Sequence, residues 1–285
     1  MKNFIKYFAL ASLFVFVVSF KVDRKPETAI DSKELVNKLF DAVSNLKTLR
    51  FTLKYSERMN GQMKNTVSKA KIQINPRKVF VTNGVAEILW IQGENSGNAL
   101  VNPGAFPYVN LNLDPNGNIM RKGGHHTIHE SGFNHLAEII RGSLKKADGN
   151  FNKYFIVAGE EVYDGRPCYK LMLKYPEFTY VPYTVKKGET LISIARKYYL
   201  SEHMILEKNP SVKWYDDVKE GKVIQIPNGY SKLTVMLIDK EWFLPLSNKI
   251  YDDLGLYEMY EYDELKINTP IAPEEFTRGY KDYHF

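Results

Sequence analysis

The side chains best suited to chemistry lie close together in the middle of the chain. They are four histidines and one glutamate, His125, His126, His129, His135 and Glu130. Imidazole nitrogens and carboxylate oxygens are ligands that zinc takes in proteins, and imidazole also titrates near neutral pH. His125 and His129 are four residues apart, a spacing that on a helix would place both rings on one side.

Three interpretations of this cluster are open. Glycines at 123, 124 and 132 interrupt a helix, and Glu130 follows His129, so the segment is not the HExxH zinc motif. A metal site on His125 and His129 is therefore the disfavoured interpretation, and no cofactor is predicted. Hydrogen bonds from the histidines to the backbone, which would fix the loop, are favoured, and a ligand or pH-sensitive contact is the third interpretation. His125, His126, His129 and Glu130 are accordingly assigned to a structural or ligand-binding cluster.

No catalytic residue is predicted. Cys168 is the single cysteine, and its alternation with Lys170 and Met172 is typical of a strand with a buried thiol. Asp and Glu are plentiful, but no pair of them stands out by its spacing. A hydrolase, metal-dependent if built on His125, His126 and His129, is the main alternative to a non-enzymatic protein.

The composition indicates a folded protein that does not bind nucleic acid. The 285 residues are 44% hydrophobic and 13% aromatic, with a formal net charge of +6. Lys and Arg do not form a run interleaved with aromatic residues, so nucleic acid is not an expected partner.

The first twenty residues have the pattern of a secretory signal peptide. Lys2 and Lys6 precede an apolar run from Tyr7 to Phe20, which is short for a membrane-spanning helix. A retained N-terminal anchor is the alternative, and no cysteine near residue 20 offers a site for lipid attachment. We therefore expect export of the chain, with residues 21–29 as a linker.

The remaining chain alternates strands with two helices. Leu35, Leu39 and Val43 predict an amphipathic helix capped by Ser32. A second helix is predicted to start near Ser131 and to end at Asp148. Strands are predicted at 49–58, 64–74, 78–82, 86–91, 108–113, 155–163, 168–175, 233–238, 242–246, 248–251 and 256–262. The Asn-Gly pairs at 60–61 and 83–84 indicate hairpin turns between some of them.

Residues 183–227 predict a separate unit of strand, two helices and strand. The strand Tyr183–Val185 leads into a first helix with apolar residues spaced three and four apart, and Ser201 is suited to cap a second helix. The segments YTVKKGETLISIARKY, ILEKNP and KVIQIP, in this order and spacing, resemble a LysM domain. That resemblance implies binding to the N-acetylglucosamine backbone of peptidoglycan or chitin.

The resemblance also implies a shallow groove for the glycan. Its two sides would be the loop after the first strand and the loop after the second helix. The implied groove residues are Gly188, Glu189, Thr190, Leu191, Asn209, Pro210, Ser211 and Val212. Each could instead be needed only for the fold, as a turn, a cap or a helix stop.

The rest of the chain resembles the LolA/LppX-like periplasmic lipoprotein carriers. The likeness rests on residues 239–276 and, toward an uncharacterised bacterial family of that group, on KGGHHTIHESGF at 122–133. It implies an α+β fold, a strongly curved antiparallel sheet that forms a half-open barrel with covering helices. The expected domains are a discontinuous body at 30–180 and 229–285 and an inserted LysM domain at 182–228.

These expectations combine into a non-catalytic envelope protein. The LysM domain would bind peptidoglycan or another N-acetylglucosamine polymer, and by resemblance the body would carry a lipid, a lipoprotein or another apolar ligand. A hydrolase acting on peptidoglycan and an envelope scaffold that binds a partner protein are further alternatives. The location implied by the carrier resemblance is the periplasm or cell envelope of a Gram-negative bacterium.

Overall fold

The computed structural model describes residues 30–285. The predicted signal peptide at 1–20 and the predicted linker at 21–29 lie outside these described residues. Among residues 30–285, no helix combines the length and the apolar character needed to cross a membrane.

The elements follow one another in the order expected for a sheet interrupted by helices. The helices are Ser32–Ser44 (α1), Asn118–Arg121 (α2), Asn134–Ala147 (α3), Phe151–Tyr154 (α4), Leu191–Tyr198 (α5) and Glu202–Lys208 (α6). The first strands are Thr48–Met59 (β1), Gln62–Gln73 (β2), Lys78–Thr82 (β3), Glu87–Ile91 (β4), Ala99–Asn102 (β5) and Leu111–Leu113 (β6). The later strands are Phe155–Tyr163 (β7), Arg166–Lys174 (β8), Tyr180–Thr184 (β9), Val223–Pro227 (β10), Leu233–Asp239 (β11), Pro245–Asp252 (β12) and Gly255–Ile267 (β13).

Eleven strands form one antiparallel sheet in the order β6-β5-β4-β3-β2-β1-β13-β12-β11-β8-β7. The order is linear, so the sheet is open, with β6 and β7 at its edges. Residues of six neighbouring strands, β1 to β4, β12 and β13, line one cavity, which shows that the sheet is strongly curved. The predicted fold class, an α+β protein with a curved, half-open antiparallel sheet and covering helices, is confirmed.

Local sequence explains the long central hairpin. Asn60 and Gly61 both have positive φ, 52° and 77°, as a two-residue turn between twisted strands requires. The strands on either side pair without interruption from Thr48 opposite Gln73 to Met59 opposite Gln62. The hairpin predicted from the Asn-Gly pair is therefore present.

Helices α1 and α3 supply apolar side chains to the main core. Leu35, Leu39 and Val43 of α1 are buried there, and so are Phe133 and Ile140 at the start and middle of α3. The side chains face the sheet because their spacing of three or four residues places them on one side of each helix.

Several predicted boundaries were wrong. Asp31, not Ser32, caps α1, since its carboxylate accepts a hydrogen bond of 2.7 Å from the Glu34 amide. The strand predicted at 108–113 is confined to β6, because Tyr108 has a positive φ of 57°. The two strands predicted at 242–246 and 248–251 are one strand, β12, and Phe243 lies with φ 53° in the turn before it.

Residues 180–227 form a second sheet and a second core. Strands β9 and β10 pair only with each other, and α5 and α6 pack on them around Leu191, Ile194 and Ile205. This unit leaves the main sheet at the end of β8 and returns at the start of β11. Those two strands are direct neighbours, with Leu233 opposite Lys174.

Candidate functional site

The two loops implied by the LysM resemblance run side by side. The Leu191 amide, at the start of α5, donates a hydrogen bond of 2.8 Å to the Tyr215 carbonyl, and the side chains of Leu191 and Val212 share the small core. Gly188, Pro210 and Ser211 are exposed at this edge. Gly188 has a φ of 76°, a conformation that favours glycine.

The other implied groove residues have clear structural roles. Thr190 caps α5 by accepting a hydrogen bond from the Ser193 amide, and Glu189 accepts one from the Lys186 amide. The buried Asn209 side chain joins α6 to β10 through the amide and carbonyl of Gln225. Leu191 and Val212 are buried. Of the eight residues, therefore, three present free surface and five chiefly hold the two loops in place.

The opposite side of the unit is docked into the body through the first turn of α6. The Ser201 hydroxyl lies 3.0 Å from the Tyr257 hydroxyl of β13, and His203 Nδ1 lies 3.2 Å from the same oxygen. Met204, in the same turn, is buried in one apolar cluster with Ile139 and Tyr257. The residues that cap and begin α6 thus form an interface as well as a helix terminus.

Buried and half-buried ion pairs surround this contact. Arg121, only 1% exposed in its side chain, donates a hydrogen bond of 2.7 Å to Glu202 of α6, and its guanidinium lies over the Tyr215 ring. Arg196 of α5 pairs with Glu130 of the body. Burial alone would raise the pKa of Glu202, but the positive charges of Arg196 and Arg121 outweigh it and lower the pKa.

His125 sits at the centre of a buried polar network in the body. Its Nδ1 lies 2.7 Å from Glu258 Oε1 and its Nε2 lies 2.9 Å from the Arg58 carbonyl. The ring stacks on His203 with centroids 4.0 Å apart. One favoured interpretation, a histidine that fixes the loop by a backbone hydrogen bond, describes His125 well.

Glu258 carries the negative charge of this network. Its side chain is fully buried, and it is flanked by His125, by His126 at 3.5 Å and by the Tyr230 hydroxyl at 3.2 Å. Burial would raise the pKa of Glu258, but the charges and hydrogen bonds of His126 and His125 outweigh it and hold the pKa well below its usual range. Burial likewise opposes protonation of His125, yet Glu258 raises its pKa.

His126 and His135 meet beside Glu130. The Nδ1 atom of His126 lies 3.2 Å from Glu130 Oε2, and the rings of His126 and His135 are 5.2 Å apart, edge to face. Each of the three residues offers a ligand atom within 4.8 Å of the others. Burial lowers the pKa of His135 to about 4, and His126 contributes to the shift.

His125 and His129, the pair named for the disfavoured metal site, lie in different surroundings. Residues 125–127 are not helical, and the short 3-10 turn covers only Ile128–Glu130, so the four-residue spacing does not bring the rings together. His129 stacks instead on Trp90, with centroids 4.4 Å apart, and its carbonyl accepts a hydrogen bond from Arg77. Both ring nitrogens of His125 already have partners.

A cavity of about 430 Å³ opens beside this cluster on the concave face of the sheet. Alternate residues of β1 and β13 point into it, because side chains two apart lie on the same face of a strand. Its apolar lining includes Phe51, Leu53, Ala70, Val81, Ile139 and Tyr262. Its polar lining includes His126, Glu130, His135, Asn248, Glu258 and Tyr260. The buried Oδ1 atom of Asn248 has no hydrogen-bond donor among residues 30–285.

Sequence reasoning missed the partners of the histidines. Glu57, Tyr230, Tyr257 and Glu258 come from strands and turns far along the chain, and His203 comes from α6. The one available signal was the period of two in β13, which places Glu258, Tyr260 and Tyr262 on one face. Cys168 was predicted correctly as a buried thiol, and burial raises its pKa to about 11.

Comparison with known proteins gives two family matches. The profile of a family described as "Protein of unknown function (DUF1571)" matches residues 46–202, and the LysM domain profile matches residues 183–227. No curated protein matches the chain.

Solved structures share the broad outline of the fold. The MucA/MucB complex of Pseudomonas aeruginosa is 12% identical with a TM-score of 0.39, and the match covers 88% of this chain and 62% of that one. The lipoprotein LppX of Mycobacterium tuberculosis is 14% identical with a TM-score of 0.39, and the match covers 85% of this chain and 99% of that one. LprF of Mycobacterium bovis is 10% identical with a TM-score of 0.38, and the match covers 85% of this chain and 96% of that one. The chain thus spans about 60% of MucB, and no ligand or partner transfers from such distant likenesses.

The DUF1571 match begins just before β1, ends at the first residue of α6 and covers more than half of the chain. It includes the whole histidine cluster. The chain therefore belongs to the DUF1571 family and carries a LysM domain at residues 183–227.

Proposed function

We propose that this protein binds an N-acetylglucosamine glycan, such as peptidoglycan, through its LysM domain and holds a small ligand with an apolar part in its body. In this proposal residues 182–228 are a domain inserted between residues 30–180 and 229–285 of the body. Residues 1–20 direct the chain to the periplasm or cell envelope, and the role is one of binding rather than catalysis.

The observation that carries the proposal is the LysM match over residues 183–227, together with the exposure of the two loop edges. Docking into the body uses α6 and the end of α5, so it leaves Gly188, Pro210 and Ser211 uncovered. Backbone groups at such an edge suit sugar hydroxyls and amides, and the small apolar core beneath suits an acetyl methyl group.

The cavity supports the second part of the proposal. A volume of about 430 Å³ lies within the range of small-molecule sites, and apolar walls with a few polar groups are their usual lining. The unpartnered Asn248 Oδ1 favours a ligand that carries a hydroxyl or amine donor. Mass spectrometry of solvent extracts from the purified protein tests this part, and repeated failure to find a bound molecule would contradict it.

A substitution in the loop after α6 tests glycan binding. Ser211→Trp places a large ring at the edge of the groove without removing a buried side chain, so we expect at least a tenfold loss of affinity, about 1.4 kcal/mol, in sedimentation assays on purified peptidoglycan. Ser44→Trp, at an exposed serine at the end of α1, is the matched control and should sediment like the wild type. Equal sedimentation of both variants would show that the groove between the two loops does not bind the glycan.

A further inference from the structure

Three side chains converge at the edge of the cavity, those of His126, Glu130 and His135. Nδ1 of His126 and Oε2 of Glu130 are 3.2 Å apart, and the set of three ligand atoms lies within 4.8 Å. His135 comes from the first turn of α3, while the other two flank a 3-10 turn. The ring of His135 makes no hydrogen bond within residues 30–285 and lines the cavity.

We propose that His126, Glu130 and His135 form a binding site for a divalent transition metal of the zinc type. Two imidazoles and one carboxylate are a set of three protein ligands that zinc takes when its fourth position is open. All three residues line the cavity, so the fourth position would face it. Tetrahedral coordination brings ligand atoms to about 3.4 Å from one another, so a separation of up to 4.8 Å would shorten by at most about 1.4 Å on binding.

Neighbouring groups hold two of the three side chains, His126 and Glu130, in place, as they commonly do for metal ligands. While Nδ1 of His126 faces Glu130, its Nε2 lies 3.5 Å from the buried carboxylate of Glu258 and 3.4 Å from the Tyr230 hydroxyl. Metal-bound histidines commonly donate their second nitrogen to such a carboxylate. The Thr127 amide donates to Glu130 Oε2, and Arg196 holds the other oxygen, which fixes the carboxylate.

The competing arrangement is a plain ion pair between His126 and Glu130. It accounts for their 3.2 Å separation but gives His135 no role. A metal ion would join all three side chains, so the behaviour of His135 distinguishes the two arrangements.

Cobalt titration of the untagged full chain, after removal of metals with a chelator, is the direct test. We expect one equivalent of Co²⁺ to produce the visible absorption of a four- or five-coordinate site and Zn²⁺ to abolish it. Absence of this absorption in the wild-type protein would overturn the proposal without reference to any variant.

Substitution of His135 then tests the ligand set. His135→Gln should weaken Zn²⁺ binding by at least about tenfold and abolish the rise in melting temperature that Zn²⁺ causes in the wild type. The control is His284→Gln, at an exposed histidine whose ring pairs with Glu87, and it should behave as the wild type does. Unchanged affinity in His135→Gln, with a native circular dichroism spectrum, would assign the zinc to another site and overturn the proposal.

Discussion

At the residue scale, the pKa values of the buried and half-buried histidines shift in opposite directions although the rings lie within one network. Glu258 favours the protonated forms of His125 and His126, whereas burial keeps His135 and His203 neutral. Burial and the neighbouring His125 lower the pKa of His203 to about 3, and Arg58 adds to the shift. The network therefore raises the pKa of the imidazoles that pair with Glu258 and lowers the pKa of the others.

The stability of the protein should consequently fall as the pH falls from 6 to 5. Unfolded histidines take up a proton near pH 6.5, but folded His135 and His203 do so only near 4 and 3. Below pH 6.5 the unfolded state thus binds more protons, and the free energy of unfolding should decrease by up to about 2.7 kcal/mol per pH unit for the two groups. His125 and His126, whose pKa values are raised, stabilise the fold below 6.5 and lose that contribution as the pH rises.

Urea unfolding at several pH values measures this slope. His203→Gln should lower it by about 1.4 kcal/mol per pH unit, because one of the two protons is no longer taken up on unfolding. A variant with the wild-type slope would show that His203 is not the group that titrates.

At the element scale, α3 and the end of α5 approach each other closely at Gly142. A Cβ atom on Gly142 would lie 2.3 Å from the Cβ of Tyr199, which no side-chain rotation relieves. Tyr199 is held in turn by left-handed backbone with φ 56° and by a 2.7 Å hydrogen bond from Lys145. This glycine sets the distance between the LysM domain and the helix that covers the sheet.

We expect Gly142→Ala to destabilise the protein by about 1–3 kcal/mol, the cost of overpacking, although the same change in an exposed helix adds about 1 kcal/mol of stability. Tyr199→Gly removes the opposing Cβ at a position whose φ suits glycine, so the double variant should regain part of the loss. Chemical denaturation of the wild type, the two single variants and the double variant gives the coupling energy. If the losses of the single variants simply add in the double variant, the steric explanation is contradicted.

The sequence predicted elements better than their contacts. The Asn60-Gly61 hairpin, the apolar stripe of α1 and Ser201 as the cap of α6 depend on neighbours along the chain, so local patterns were sufficient. The burial of His203 and the meeting of His126 with His135 depend on where β13, α3 and α6 lie in space. In the sequence Ser201 is simply a good cap, and only the structure shows that its hydroxyl also contacts Tyr257.

At the scale of the whole molecule, the LysM domain has its own core but shares a charged interface with the body. Arg121 and Glu202 are almost fully buried, and if the domain moved away Arg121 would lose its carboxylate partner, while Glu202 would keep only Arg196 of the same domain. Separation would also expose the apolar contact of Met204 with Ile139 and Tyr257 to water, so we infer that the two parts unfold together. Removing residues 182–228 would also uncover Tyr257 and Arg121, and that deletion is therefore a poor test of glycan binding.

Glu202→Gln should lower the free energy of unfolding by about 3–5 kcal/mol, because it leaves the Arg121 charge buried without a counter-charge. Glu138→Gln breaks the exposed pair with Arg141 and is the matched control, with an expected loss of at most about 1 kcal/mol. Tryptophan fluorescence follows both parts, since Trp214 lies in the LysM domain and Trp90 and Trp242 lie in the body. Equal losses in the two variants would argue against a buried interface.

The attachment of the LysM domain at two adjacent strands, with α6 buried in the body, also determines direction. A domain on a single flexible linker could rotate freely, whereas this one is held at both ends and along one face. The body would therefore have one fixed orientation relative to any surface that the domain binds. The mouth of the cavity would then point the same way in every anchored copy.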